Sequence, residues 1–260
     1  MIDPTKTKGK VVTYSIVARD PETGAIGIAV ASRFFACGAQ VPWVSATAAV
    51  ASQAFVNPLW GIEGLSRLDA GEAPSDILTD FVERDAGQTS RQVHFLAPDG
   101  QMVQHTGANC VPWAGHVSAP NISVAGNMLV RAAVVEDTLA SYLAHSHLTF
   151  AERLLTAMEA GEAAGGDSRG RQAAGLVIHQ GQTYASIDIR ADDHAHPLAE
   201  LRRLLAVSEE RYAIFATAMA TTENFSGMVD RKPLDEAISN DEAYRKKYGI
   251  TSQSYAIPPA

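Results

Sequence analysis

The chain has 260 residues, 46% of them hydrophobic and 19% charged, and a formal net charge of −8. That length and composition suit one α/β domain of good size plus a tail, with core enough to fold unaided. The acidic balance and the absence of a basic run argue against a nucleic-acid partner, because phosphate binding needs a basic face.

Two cysteines, Cys37 and Cys110, are too few for a disulfide framework. The opening MIDPTKTKGK has lysines but no apolar core, so it does not read as a signal peptide. No apolar stretch approaches the ~20 residues of a membrane span. The expectation is a soluble, cytoplasmic protein with no membrane partner.

Residues 1–12 are a polar lead. From Val11 the chain alternates as a strand to about Ala18, and Asp20-Pro21-Glu22-Thr23-Gly24 supplies turn chemistry: Pro21 presets φ and Gly24 tolerates a positive φ. Ile26, Ile28 and Val30 return as a second strand, which ends on Ala31-Ser32-Arg33. Residues 34–42, broken by Gly38 and Pro42, read as a loop, and 45–54 as a buried strand of small residues. Asn57-Pro58 opens a helix with a capping side chain and a proline at its first position. Leu59, Ile62, Leu65 and Leu68 follow at helical spacing, and Gly71 ends it. A second helix covers 74–84, with Ile77, Leu78, Phe81 and Val82 on one face.

Residues 93–97 and 101–105 form a hairpin around Asp99-Gly100, and 121–125 is a further strand. Helices are expected over 130–144 and 150–164, the second closed by Gly165-Gly166. Strands at 173–179 and 183–189 flank Gln180-Gly181. Pro197 opens a helix through Leu201, Leu204 and Leu205 to about Met219, and a short helix covers 235–248. Strands come as hairpins and helices as pairs. This favours an α+β fold of mainly antiparallel sheets with outer helix pairs, and two face-to-face sheets are one natural closure.

Along this order lie TYSIVARDPETG, AVASRF, QAFVNP, CVPWAGH, AGNML, GGDSRGRQA and DIRADDHAHPLAELRRLL, over roughly 13–205. With these segments the chain resembles the bacterial domain-of-unknown-function 1028 family, which is assigned to the Ntn (N-terminal nucleophile) hydrolase-like fold. The resemblance implies a four-layer αββα sandwich over 13–205, after the 1–12 lead and before a helical arm at 206–260. It also implies a nucleophile at Thr13, whose own α-amine acts as base in such enzymes. In the chain as written Val12 precedes Thr13, so that nitrogen is an amide until the chain is cut or starts later. Thr13 is otherwise an ordinary β-branched strand residue.

Each remaining candidate has a functional and a structural reading. Ser32 and Arg33 end the second strand. Arg33 either forks onto a substrate carboxylate or pairs with an acid such as Asp20 or Asp188. Asn127 either polarises a carbonyl in an oxyanion hole or caps the following helix. Asp167, Arg169, Arg171 and Gln172 enter an apolar strand, as a salt-bridged network or as an anion-reading rim. Cys110 with His116 is a weak nucleophile–base pair. Asp192, Asp193, His194 and His196 read as a turn and helix start rather than a metal site. No phosphate- or dinucleotide-binding glycine motif is present, so no cofactor is expected.

The function expected is an Ntn-type amidohydrolase that cleaves an amide or small peptide-like bond of a carboxylate-bearing small molecule through an acyl-enzyme. Thr13, Ser32, Arg33 and Asn127 would be catalytic, and Asp167, Arg169 and Arg171 would bind substrate. The alternative is a non-catalytic small-molecule-binding or assembly protein on the same fold. The apolar residues of the arm, Tyr212 to Leu234, suggest a homodimer.

Overall fold

In the computed structural model residues 13–257 are described; the expected lead at 1–12 lies outside them. Contacts divide the chain into two compact units, one reaching Leu201 and one starting at Arg202.

The first unit carries two antiparallel sheets. One is six-stranded, in the order β10-β9-β2-β1-β8-β7: β1 is Thr13–Arg19, β2 Ile26–Ser32, β7 Gly115–Ala119, β8 Ile122–Asn127, β9 Ala173–His179 and β10 Ala185–Ala191. The other is four-stranded, in the order β3-β4-β5-β6: β3 is Pro42–Val44, β4 Ala49–Ala54, β5 Arg91–Leu96 and β6 Met102–Thr106. A four-residue helix α1 (Cys37–Gln40) and β3 occupy most of the stretch expected to be a loop. The expected strand at 45–54 is shortened to β4. Edge strand β7 is an addition to the expected set; its sequence, GHVSA, has one large apolar residue, too little for a period-2 signal.

Alternation along the strands builds the layers. Val17, Ile28 and Val30 of the large sheet meet Ala49, Ala51 and Leu96 of the small one, giving an apolar seam between the sheets. On the other face of the small sheet, Val50, Val93 and Phe95 pack on Trp60, Leu68, Ile77 and Phe81 from helices α2 (Pro58–Asp69) and α3 (Pro74–Arg84). Helices α4 (Ala133–Ala144) and α5 (Phe150–Ala163) cover the outer face of the large sheet. There the Tyr14 hydroxyl donates to the Met158 carbonyl at 2.9 Å. A Cβ on Gly27 would sit 2.9 Å from Leu154, so only glycine lets α5 approach β2 this closely. This is the expected αββα sandwich.

Local chemistry explains the main boundaries. Asn57 accepts from the Leu59 amide to cap α2, Thr149 and Glu152 form a reciprocal capping box on α5, and Gly71 follows α2 with φ 85°. The buried face of α2 corrects the expected one: Leu59 and Ile62 are exposed, and Trp60, Gly61, Gly64 and Leu68 face inward. The reason is the indole of Trp43, which lies so close to Gly61 that an added Cβ would be 2.1 Å from Nε1. A glycine stripe lets β3 and α2 meet there.

In the second unit the helix expected to run from Pro197 to Met219 is broken. Helix α6 (Pro197–Val207) contains the division between units, and a π turn (Ser208–Tyr212) and α7 (Ala213–Ala216) follow. Helix α8 is Lys232–Lys247. Within this unit Arg203 stacks on Tyr255 at 4.0 Å and donates to the Gln253 carbonyl, while Glu210 accepts from Ser252 and the Gln253 amide.

Candidate functional site

Strand β1 lies between β2 and β8, so its first residue meets the ends of both. Thr13 is in register with Asn127, and its hydroxyl donates to the Ser32 hydroxyl at 3.3 Å. All three are buried. Asn127 Nδ2 lies 3.4 Å from the Thr13 carbonyl oxygen and 3.0 Å from Gln92 Oε1. Helix α4 starts at Ala133 with Ala132 as its cap, so the capping reading of Asn127 fails: the residue is the last of β8 and points between the sheets.

Behind this trio runs a polar layer that the chain's pattern does not announce. Gln92 Oε1 accepts from both Asn127 and Gln53. Gln92 Nε2 donates to Thr106 and to the carbonyls of Gly115 and Gly126. The Ser15 hydroxyl donates to Gln53 Oε1 at 2.7 Å and stands 2.9 Å from His94 Nε2. His94 Nδ1 stands 3.0 Å from the Ser123 hydroxyl. Because Ser15 gives its only proton to Gln53, it must accept from His94 Nε2–H; in the neutral ring Nδ1 is then the acceptor for Ser123. Burial, and secondarily the charge of His116, lowers the His94 pKa to about 3, which keeps the imidazole uncharged. Every polar group of the layer thus has a partner, as burial demands.

Asp167 lies just outside the trio, beyond the end of β2. Its carboxylate accepts from the Arg33 amide at 2.6 Å, from the Arg169 amide at 2.8 Å, and from the Arg169 guanidinium at 3.1 Å. Its backbone bridges Leu129. Asp167 and Arg169 are therefore engaged with each other and with the chain ends they join. Arg33 meets neither Asp20 nor Asp188: its guanidinium donates to the Arg169 carbonyl at 2.6 Å, and Asp188 lies near Arg190 instead. Arg171 differs. It is half-exposed, pairs with Glu162 at 3.3 Å and meets His196 Nδ1 at 3.2 Å. Glu162 and Arg171 both line a cavity of about 190 Å³, together with Tyr14, Ser32, Asp167 and Gly170.

The family model described as "Family of unknown function (DUF1028)" matches residues 13–201. The chain belongs to this family. Among solved structures, this DUF1028 chain is similar to protein SPO2555 from Silicibacter pomeroyi, whose crystal structure is described under the same family model. The two are 30% identical, with a TM-score of 0.78 over 84% of this chain and 96% of that one. No curated protein matches.

The other candidates of this DUF1028 protein fall apart as sites. Cys110 Sγ donates to the Arg91 carbonyl, while the His116 ring meets Thr106, so the two do not pair. Burial raises the Cys110 thiol pKa and, more strongly, that of Cys37, to about 12, so neither is a ready thiolate. His194 Nδ1 accepts the His196 amide and Asp193 accepts from Gln172. These are the contacts of a turn before a helix. Among the described residues no helix is long and apolar enough to cross a membrane.

Proposed function

We propose that the protein is an amidohydrolase of the N-terminal-nucleophile type, with Thr13 as nucleophile. The observation that carries the reading is the position of Thr13: it is the first residue of the family match and starts a central strand, with the Ser32 hydroxyl and the Asn127 amide beside it. A free α-amine at Thr13 takes the proton of its own hydroxyl, and Oγ1 attacks an amide carbonyl. The amine leaves with a proton, and water then hydrolyses the ester. Asn127 supplies the oxyanion donor: its N–H toward the Thr13 carbonyl is held at 3.4 Å, the looser of its two contacts, and can be redirected. Ser32 fixes the Thr13 hydroxyl. Arg33 holds its backbone on Asp167, and the Asp167–Arg169 pair shapes the rim on which Arg171 reads a carboxylate of a small substrate.

The mechanism requires scission between Val12 and Thr13 or synthesis from a later start. The test is the intact mass of protein purified from its own host, followed by treatment with a β-lactone. Loss of twelve residues and a single adduct that Thr13→Ala abolishes supports the reading. An uncut chain without adduct, and equally a chain started at Thr13 that takes none, favours the second reading, a binding protein on the same fold. That alternative draws on Val12, which leaves the Thr13 nitrogen an amide in the chain as written. We further infer a bacterial, cytoplasmic homodimer.

A further inference from the structure

The cavity beside Ser32 has a wall chemistry that selects its ligand. Three glycines, Gly165, Gly166 and Gly170, form part of it, and their amides are already donated to Glu162, Gly161 and Asp167 carbonyls. The Tyr14 hydroxyl is given to Met158. The Asp167 carboxylate accepts four N–H groups from Arg33 and Arg169. Glu162 and Arg171 are what remains to read a polar ligand. Arg171 uses Nε on Glu162 and Nη1 on His196, which leaves Nη2, and its side chain is 47% exposed against 23% for Glu162.

We propose that this cavity is a binding site for a small α-ammonium carboxylate, a zwitterion with Arg171 on its carboxylate and Glu162 on its ammonium group. Charge balance selects this ligand. A simple carboxylate would set a second anion beside half-buried Glu162, and a simple amine would set a second cation beside Arg171; both are penalised in a partly desolvated cleft. A zwitterion satisfies both walls and adds no net charge. Burial already raises the pKa of Glu162, and neighbouring Glu159 adds to this, against the opposing charges of Arg171 and His196. A ligand ammonium is therefore the partner that favours its ionised form. Size admits such a head: about 190 Å³ is the share of roughly six waters at ~30 Å³ each, more than glycine or alanine fills, so the cavity holds the zwitterionic end with room for a side chain. Ser32 lines the cavity and bonds Thr13, so a bound amino-acid end would lie next to the hydroxyl pair. That last step rests on the nucleophile reading above; the binding site itself does not.

The test uses the full chain, uncut, so that no Thr13 amine is needed. L-Alanine, glycine, propionate and ethylamine are titrated in turn by calorimetry and by protein-observed NMR. Glycine and L-alanine should bind and shift resonances of Gly165, Gly166 and Gly170, with propionate and ethylamine at least tenfold weaker. Glu162→Gln and Arg171→Gln should each weaken L-alanine at least tenfold while the spectrum stays that of the folded protein. Propionate binding as tightly as L-alanine would overturn the proposal, as would no binding of either zwitterion by the wild-type chain. Should a variant fail to fold, the wild-type ligand series alone decides. Failure of Thr13 to react with a β-lactone would leave these outcomes untouched.

Discussion

His94 has no solvent exposure and a serine hydroxyl on each ring nitrogen. Its folded pKa, about 3, lies far below the ordinary 6.5. The unfolded chain therefore binds a proton between those values that the folded chain refuses. Stability is full above pH 6.5 and falls as pH drops towards 3, by up to ~1.4 kcal/mol per pH unit from this residue. His94→Gln should remove about one proton from the pH slope of urea-derived stability in that window. An unchanged slope would assign the acid sensitivity to His116 and His179, whose pKa values are also lowered, chiefly by burial. Gln92 is the hub of the same layer. Gln92→Leu deprives Asn127 and Gln53 of their shared acceptor and should cost ~3 kcal/mol, read as a shift of the urea midpoint. Thr13, Ser32 and Asn127 were legible in the sequence because polar residues ending apolar strands stand out. Gln92 and His94 were not: Gln92 falls just before the strand expected at 93–97, and His94 alternates with Val93 and Phe95 as a solvent-facing residue would. In a sandwich covered on both sides that face is interior, and nothing local in a sequence says which strands will be covered twice.

At the level of elements, the segment after α5 is the joint of the site. Asp167 ties the end of β2, through the Arg33 amide, to Arg169 and to Leu129 beyond β8. Removing its carboxylate takes from Arg169 its acid partner and from two amides their acceptor, so Asp167→Ala should cost ~3–5 kcal/mol. A melting curve that does not move would show the joint to be loosely held. A similar knot joins α2, α3 and β5. Asn57 caps α2 and donates to Asp85, which also accepts from Arg91. Although burial alone would raise the Asp85 pKa, bonds from Arg91, Asn57 and the Gly87 amide hold it at about 2. Both joints contain residues whose sequence signal was local: a cap before a proline at 57–58, a glycine-flanked acid at 167. The sequence could not show which distant element each would meet. For the same reason helical spacing alone points to the wrong face of α2, since the deciding partner, Trp43, comes from another strand.

For the whole molecule, the question is what covers the second unit. The apolar content of residues 206–234 was evident from composition; its exposure was not. Leu234 and Ile238 are buried, yet Phe225 is 95% exposed, Val229 86%, Phe215 45% and Met228 41%. A phenylalanine that buries its surface removes ~150–250 Å² from water, and at ~25 cal/mol per Å² that is several kcal/mol of unused association energy. Apolar groups clustered within a few residues of one another, in a chain of net charge −8 that is otherwise self-repelling, call for a partner surface that is itself apolar. A second copy of the same segment supplies one by symmetry, and a twofold contact is self-complementary by construction. The full-length protein should therefore run as a dimer in light scattering at micromolar concentration. Phe225→Asp with Val229→Asp, neither of which disturbs buried Leu234 or Ile238, should halve the mass and leave the first unit's melting unchanged. A wild-type chain already monomeric under these conditions, or a double variant of undiminished mass, would show that the exposed segment is not the clasp.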